Sequence, residues 1–213
     1  MWRYDGKHGG VFRVSEPRIE PYVVRGRTAR EALRGVHDYG ERTGHLALFS
    51  RYHRYSHSNR HRDRDAATGK HKIEKSFELI STFKIVLPEW DGYDAASPAD
   101  QRLWDMEYCR LVHHERGHMM IDLEVRAETL SYIMTHRGDT VMEVAQAVGR
   151  RQMQTFTPIN ARQELYHTLS GAGTRTGWAT LPYEAYDWPW RQSQLSADNG
   201  ASAELHSASG DAP

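Results

Sequence analysis

The residues best suited to chemistry are His114, Glu115 and His118, which form the pattern H-E-x-x-H. Residues four apart on an α-helix point in nearly the same direction, so the two imidazoles can bind one metal ion. A Zn²⁺ ion held by two histidines and a third protein ligand leaves a position for water and lowers the pKa of that water to about 7. Glu115 can accept a proton as the water attacks a carbonyl and return it to the leaving amine. The spacing therefore predicts zinc-dependent hydrolysis of a peptide or amide bond.

The third metal ligand is open among three residues. Glu143 follows the motif at a spacing that suits a ligand on the next helix, but it also fits a capping box with Thr140. Asp122 lies one turn beyond the motif, and we interpret it as a group that orients a ligand histidine. We favour His167, because it stands beside Tyr166 just ahead of a glycine-rich turn. A loop there would supply His167 as the ligand and Tyr166 as a hydrogen-bond donor for the developing oxyanion.

The motif lies within the strongest helix signal of the chain, over residues 97–136. Ser97 is a good N-cap, and Pro98 suits the first helical position, where its missing amide hydrogen costs nothing. Apolar residues then recur every three or four positions, as one long helix or as two joined near Gly117. A glycine inside a helix costs about 1 kcal/mol. Gly117 therefore predicts close packing or a ligand near the two histidines.

Shorter elements surround this helix. The predicted strands cover residues 22–24, 45–55 and 77–87, and the other predicted helices cover residues 28–35, 140–149 and 160–169. Pro88 is expected to end the last strand. Residues 51–75 carry eight Lys or Arg, three acids and four histidines. We interpret them as a long exposed hairpin loop that lies over the active-site cleft and steers an acidic substrate.

These elements predict an α+β fold in which a small antiparallel sheet packs on the long active-site helix and further helices. Residues 1–20 show no hydrophobic period and are expected to form a loosely ordered arm. Residues 21–191 are expected to form a single metallohydrolase domain. Residues 192–213 are rich in Ser, Ala, Gly and Asp and contain no Lys or Arg, which predicts a disordered tail.

Composition excludes several classes of protein. The 28 basic and 28 acidic side chains cancel, which argues against bulk electrostatic binding of nucleic acid. No apolar run reaches the roughly eighteen residues of a membrane span, and the first residues lack the apolar stretch of a secretory signal. Thirteen histidines in 213 residues exceed ordinary usage and suit metal binding. We therefore expect a cytoplasmic enzyme that acts on a peptide or protein substrate.

The chain resembles a bacterial family of unknown function described as predicted secreted zinc-dependent proteases. That family shows a Y-x-V-x-G-x-T start, an H-E-x-G-H core and a late segment like Y-D-x-x-T-x-H-G-x-x-x-G. In the late segment, His167 stands where the family has Asp and Ala172 where it has His. The resemblance implies a zincin-like fold, proteolytic activity and secretion by a route other than a signal peptide. It also implies that the family's late histidine ligand is lost here or that its role passes to His167.

The matching pieces lie within roughly residues 22–181. They are Tyr22-Val23-Val24-Arg25-Gly26-Arg27-Thr28, Leu87-Pro88-Glu89-Trp90, His114-Glu115-Arg116-Gly117-His118, and the late positions Tyr166, Gly173 and Gly177.

A non-catalytic function is the alternative hypothesis. A zincin scaffold with a purely structural metal could grip a protein or nucleic-acid partner through the basic segment at residues 51–75. A change of Glu115 to Gln separates the two hypotheses. An enzyme would keep its metal and lose turnover, whereas a binding module would lose nothing.

Overall fold

The computed structural model describes residues 2–5, 8–55, 63–74 and 76–170, and this part of the chain contains seven strands and four α-helices. The strands are β1 (Trp2–Asp5), β2 (Val11–Val14), β3 (Arg18–Val24), β4 (Leu48–Tyr55), β5 (Asp63–Arg64), β6 (His71–Lys72) and β7 (Glu78–Trp90). The helices are α1 (Ala29–Thr43), α2 (Pro98–Thr135), α3 (Val141–Gln154) and α4 (Phe156–Ser170). The fold is α+β, as the sequence predicts. The predicted disordered tail lies outside the described residues.

Strand β7 is the centre of a five-stranded sheet. Strands β2 and β3 run parallel to it and follow each other along one edge, β4 runs antiparallel along the other edge, and β1 pairs with β2. The sheet is therefore mixed, and the prediction of an antiparallel sheet is wrong in this respect. Parallel strands are joined by long crossover connections. The alternation of apolar and polar residues within one strand therefore does not indicate whether its partner runs parallel or antiparallel.

Helix α2 is one continuous helix of 38 residues that packs against the sheet. The Ser97 side chain accepts a hydrogen bond from the backbone of Asp100, and Pro98 opens the first turn, as predicted. Two clusters of buried apolar side chains flank the motif. One contains Leu111 together with α1, β3 and the end of β7, and the other contains Met119 together with β2, the start of β7 and α3. The helical turn that carries the H-E-x-x-H motif thus lies between these two apolar clusters.

Two expectations for the strands need correction. The described part of residues 1–20 does not form a loosely ordered arm, because β1, β2 and the start of β3 lie within it and Phe12 and Val14 are buried in the core. The strand β2 is four residues long, too short for alternation to stand out in the sequence. Pro88 does not end β7. The ladder with β4 stops at Val86, but β7 continues to Trp90 beside β3.

The basic segment is divided in the structure. Its first residues belong to β4, and the β5–β6 hairpin lies against the turn after α2, where His71 and Gly138 exchange backbone hydrogen bonds of 2.8 and 3.1 Å. The end of α2, where the hairpin lies, is about 25 Å along the helix from His118. The hairpin is therefore far from the H-E-x-x-H motif. The prediction of a loop over the cleft is therefore wrong for residues 63–74, and residues 56–62 lie outside the described residues. None of the described helices is long and apolar enough to cross a membrane.

Candidate metal centre

His114 and His118 face each other on the buried side of α2. Their Nε2 atoms lie 3.1 Å apart, and the residues are only 4% and 6% exposed. Burial lowers the pKa of His114 to about 3 and the pKa of His118 to about 4. Both imidazoles are therefore neutral near pH 7, which is the state in which a ring nitrogen binds a metal ion.

Helix α4 supplies a partner for the second ring nitrogen of each histidine. The side chain of Gln163 donates through Nε2 to the backbone carbonyl of His118 at 2.9 Å, which places its Oε1 against His118 Nδ1. Ser170 Oγ lies 3.4 Å from His114 Nδ1. An amide oxygen can only accept, so His118 carries its proton on Nδ1 and presents Nε2 as a bare acceptor.

A zinc ion fits this donor set. His118 Nε2 thus presents its lone pair to His114 Nε2 across 3.1 Å, while the Ser170 hydroxyl, which can donate or accept, is compatible with a proton on either nitrogen of His114. Two nitrogens bound to one tetrahedral zinc ion lie about 3.3 Å apart, given bonds of about 2.0–2.1 Å. The spacing of His114 and His118 therefore suits one shared cation.

His167 completes a group of three histidines. Its ring centroid lies 5.2 Å from that of His114 and 4.5 Å from that of His118, and ligand nitrogens of the three residues lie within 4.8 Å of one another. His167 is exposed, in contrast to the other two, so it stands on the open side of the group. The residue favoured as third ligand is thus the one that the fold brings to the pair.

The other two candidates for the third ligand have different partners. Glu143 Oε2 accepts a hydrogen bond of 2.8 Å from the backbone of Asp139, and its own backbone donates to Thr140 Oγ1, so it forms the capping box of α3. Asp122 is fully buried, and its carboxylate lies 3.3 Å from Arg51 Nε and 3.2 Å from His53 Nε2.

Asp122 does not orient a ligand histidine, so that interpretation is wrong. Its recorded ion pairs join α2 to β4 and to Arg126 one turn further along α2. Gln163 on α4 makes the orienting contact to His118 instead. The sequence predicts that a helix follows the motif, but it does not indicate that this helix packs beside His118.

Glu115 lies beside the histidine group and is 3% exposed. Burial raises the pKa of its carboxyl group to about 7, and a hydrogen bond from the backbone of Phe49 acts weakly in the opposite direction. A carboxyl group with a pKa near the working pH can both accept and return a proton. Its position and its pKa therefore suit a general base.

An open cleft of about 220 Å³ gives access to these groups. It is lined by Glu115, His118, His167, the α4 residues Asn160 and Gln163, and residues 45, 47–49 and 51 in and before β4. Arg51 crosses the cleft edge, since its Nη2 donates to Asn160 Oδ1 at 3.2 Å while its Nε faces Asp122. Its charge is one of the causes that lower the pKa of His118.

Tyr166 lies behind the histidines. It is buried, its ring stacks on His114 at 5.1 Å, and its hydroxyl donates to the backbone carbonyl of His114 at 3.2 Å. The prediction of an oxyanion donor beside His167 assumed a loop, although the predicted helix over residues 160–169 includes both residues, and both lie on α4. Adjacent helical residues point about 100° apart, so Tyr166 faces the body of α2 and His167 faces the cleft.

Sequence reasoning missed most of the polar residues around the centre. Gln163 stands four residues before His167 and Ser170 four residues after Tyr166, a helical spacing that was a usable signal for these two missed residues. No comparable pattern points to Arg51 or His45, because these residues lie in and before β4, which meets α4 only in the fold.

Comparison with known proteins identifies a family. Searches of curated proteins and of solved structures returned no match. A family model described as a bacterial protein of unknown function (DUF922) matches residues 19–173, which include the three histidines and Glu115. The match covers more than two thirds of the chain. The protein therefore belongs to the DUF922 family of bacterial proteins of unknown function.

Proposed function

We propose that this protein is a zinc-dependent hydrolase that cleaves a peptide or amide bond. The observation that carries the proposal is the group formed by His114, His118 and His167, whose ligand nitrogens lie within 4.8 Å of one another, with Glu115 beside it at an open cleft. His114, His118 and His167 would hold the zinc ion. The ion would supply a Lewis acid that polarises a carbonyl and makes water acidic enough to attack near pH 7.

Glu115 would act as general base and then as general acid. Its carboxylate accepts the proton of the attacking water, and the carboxylic acid then donates that proton to the leaving nitrogen. Burial of the carboxyl group raises its pKa, which favours the protonated form that makes this return. Burial of the carboxyl group keeps bulk water from competing for the proton.

An extended peptide is the substrate that the cleft suits best. Strand β4 pairs with β7 along one edge, and among the described strands none pairs with its other edge. Leu48, Phe49 and Arg51 of this strand line the cleft. An extended chain bound along β4 would gain backbone hydrogen bonds and would lie beside Glu115 and His118.

Arg51 takes the role that we assigned to Tyr166 from the sequence. The Tyr166 hydroxyl donates to a backbone carbonyl, whereas Arg51 lines the cleft and is 24% exposed. The buried carboxylate of Asp122 and the amide oxygen of Asn160 hold its guanidinium from two directions. We assign to Arg51 the stabilisation of negative charge that develops on the substrate carbonyl oxygen.

A peptide library with a mass-spectrometric readout tests the proposal. The zinc-loaded wild type is expected to cleave a subset of peptides, and Glu115→Gln is expected to retain zinc and lose at least a hundredfold in rate. Glu128→Gln, a change at an exposed position on the same helix, is the matched control and should cleave normally. Equal cleavage by wild type and Glu115→Gln would refute the role of Glu115. Stoichiometric zinc without any cleavage would favour the non-catalytic binding module.

A further inference from the structure

We propose a second binding site, next to the metal cleft and sharing Arg51 with it, that takes an organic anion with an apolar body, such as an aromatic carboxylate. It is a cavity of about 440 Å³ between β4 and the junction of α3 with α4. Its lining combines the positively charged Arg126 and the amide of Gln152 with the apolar side chains of Met153 and Phe156.

Arg126 gives the cavity its charge. The guanidinium is 1% exposed; its Nη1 donates to the hydroxyl of Tyr55 at 2.8 Å, and its Nε lies 3.7 Å from Asp122. Its Nη2 is buried and has no hydrogen-bond partner among the described residues. A buried guanidinium with an unused donor is costly, and an anion that approaches it reduces that cost.

The local charges do not cancel. Asp122 is the one carboxylate in this cluster of the described residues, and it is shared between Arg51 and Arg126. His53, which also contacts Asp122, has its pKa lowered by burial and adds no positive charge near pH 7. Two guanidinium groups and one carboxylate leave a net charge of +1 beside the cavity.

A second donor lines the same cavity. Gln152 Nε2 is buried without a hydrogen-bond partner among the described residues. Arg126 and Gln152, which line the cavity, thus each hold a buried N–H donor without a partner among the described residues, and a carboxylate has two oxygen atoms that each accept. The donor set therefore matches an oxyanion and does not match a cation.

The rim of the cavity is apolar and exposed. Met153 is 77% exposed, Tyr52 and Phe156 are also exposed, and the Phe156 ring lies over the Arg126 guanidinium at 5.4 Å. Apolar side chains around a charged floor favour a ligand that has one anionic end and an apolar remainder. The apolar rim therefore favours an organic anion over an inorganic anion.

Calorimetric titration and thermal unfolding with benzoate and benzamide test the proposal on the full chain. Benzoate is expected to bind and to raise the melting temperature, and benzamide, which has the same shape without the charge, is expected to do neither. Met153→Glu places a negative charge at the rim and should weaken benzoate binding roughly fivefold. The matched control is Met142→Glu, a change at another exposed methionine of the same helix that does not line the cavity, and it should bind like the wild type.

Two further variants complete the test. Arg126→Met should abolish benzoate binding, because it leaves Asp122 balanced by Arg51 alone. Met153→Glu gives the same information if Arg126→Met does not fold. Equal binding of benzoate and benzamide, equal affinities of the two glutamate variants, or binding that is lost on removal of metal with EDTA would overturn the proposal. None of these readouts depends on turnover, so failure here is distinct from failure of the proposed hydrolase function.

Discussion

Replacement of Gly117 by alanine tests the packing that places α4 against the two motif histidines. A methyl group at this position would overlap the hydroxyl and ring of Tyr166, with even Cε1 of that ring 2.9 Å away. Tyr166 is buried and stacks on His114, so its ring has no free space to enter. Overpacking of this kind costs about 1–3 kcal/mol, against a gain of up to about 1 kcal/mol from removing a helical glycine.

We therefore expect Gly117→Ala to lower the unfolding free energy by about 1–2 kcal/mol. It should also weaken zinc binding, because Tyr166 can move only by displacing His114 or α4. Urea unfolding of the metal-free protein measures the first effect, and competition with a chelator measures the second.

Gly149→Ala is the matched control for this substitution. Gly149 also lies inside a helix, but apart from its chain neighbours and the backbone of its own helix, no atom of the described residues lies within 4 Å of the position that its Cβ would take. The same change should stabilise the protein by about 0.5–1 kcal/mol and leave zinc affinity unchanged. A Gly117→Ala protein as stable as Gly149→Ala would refute the reasoning, because it would mean that α4 does not pack closely on the motif.

Three other predictions follow from the same contacts. Between pH 7 and pH 5, the lowered pKa values of His114 and His118 should together cost the metal-free protein about 4 kcal/mol, because these residues take up protons only when unfolded. The raised pKa of Glu115 offsets about 2 kcal/mol of this loss, so urea unfolding should find Glu115→Gln more acid-sensitive than wild type; equal sensitivity would contradict the assigned pKa. Asp122→Ala should lower the unfolding free energy by about 3–5 kcal/mol, because it leaves buried positive charge without a carboxylate partner. An unfolding free energy in urea close to that of the wild type would argue against a buried ion network. Gln163→Leu should reduce zinc affinity about 10–100-fold, measured by chelator competition, and wild-type affinity would exclude an orienting role.

Local patterns were enough to predict the long helix and its motif. The caps at Ser97 and Thr140 depend on residues within one turn, and the imidazoles of His114 and His118 converge because of helical spacing alone. Gly117 also carried its own signal, since a glycine inside a helix suggested the close approach that Tyr166 makes.

The remaining features depend on contacts between distant segments. The parallel pairing of β2 and β3 with β7 joins residues more than sixty positions apart, and no local pattern records it. The roles of Tyr166 and His167 depend on which face of α4 meets α2, and the predicted helix over residues 160–169 does not record which of its faces packs there. The ion pairs of Asp122 likewise require β4 to lie across α2.

Metal content is the most direct test of the central claim. Elemental analysis of protein purified without chelator should find one zinc ion per chain in the wild type and much less in His118→Ala and His167→Ala. His113→Ala, a change at the exposed residue next to the motif, should retain full zinc. No stoichiometric metal in the wild type, or full zinc in His118→Ala, would contradict the account. Full zinc in His167→Ala alone would contradict the assignment of His167 as third ligand.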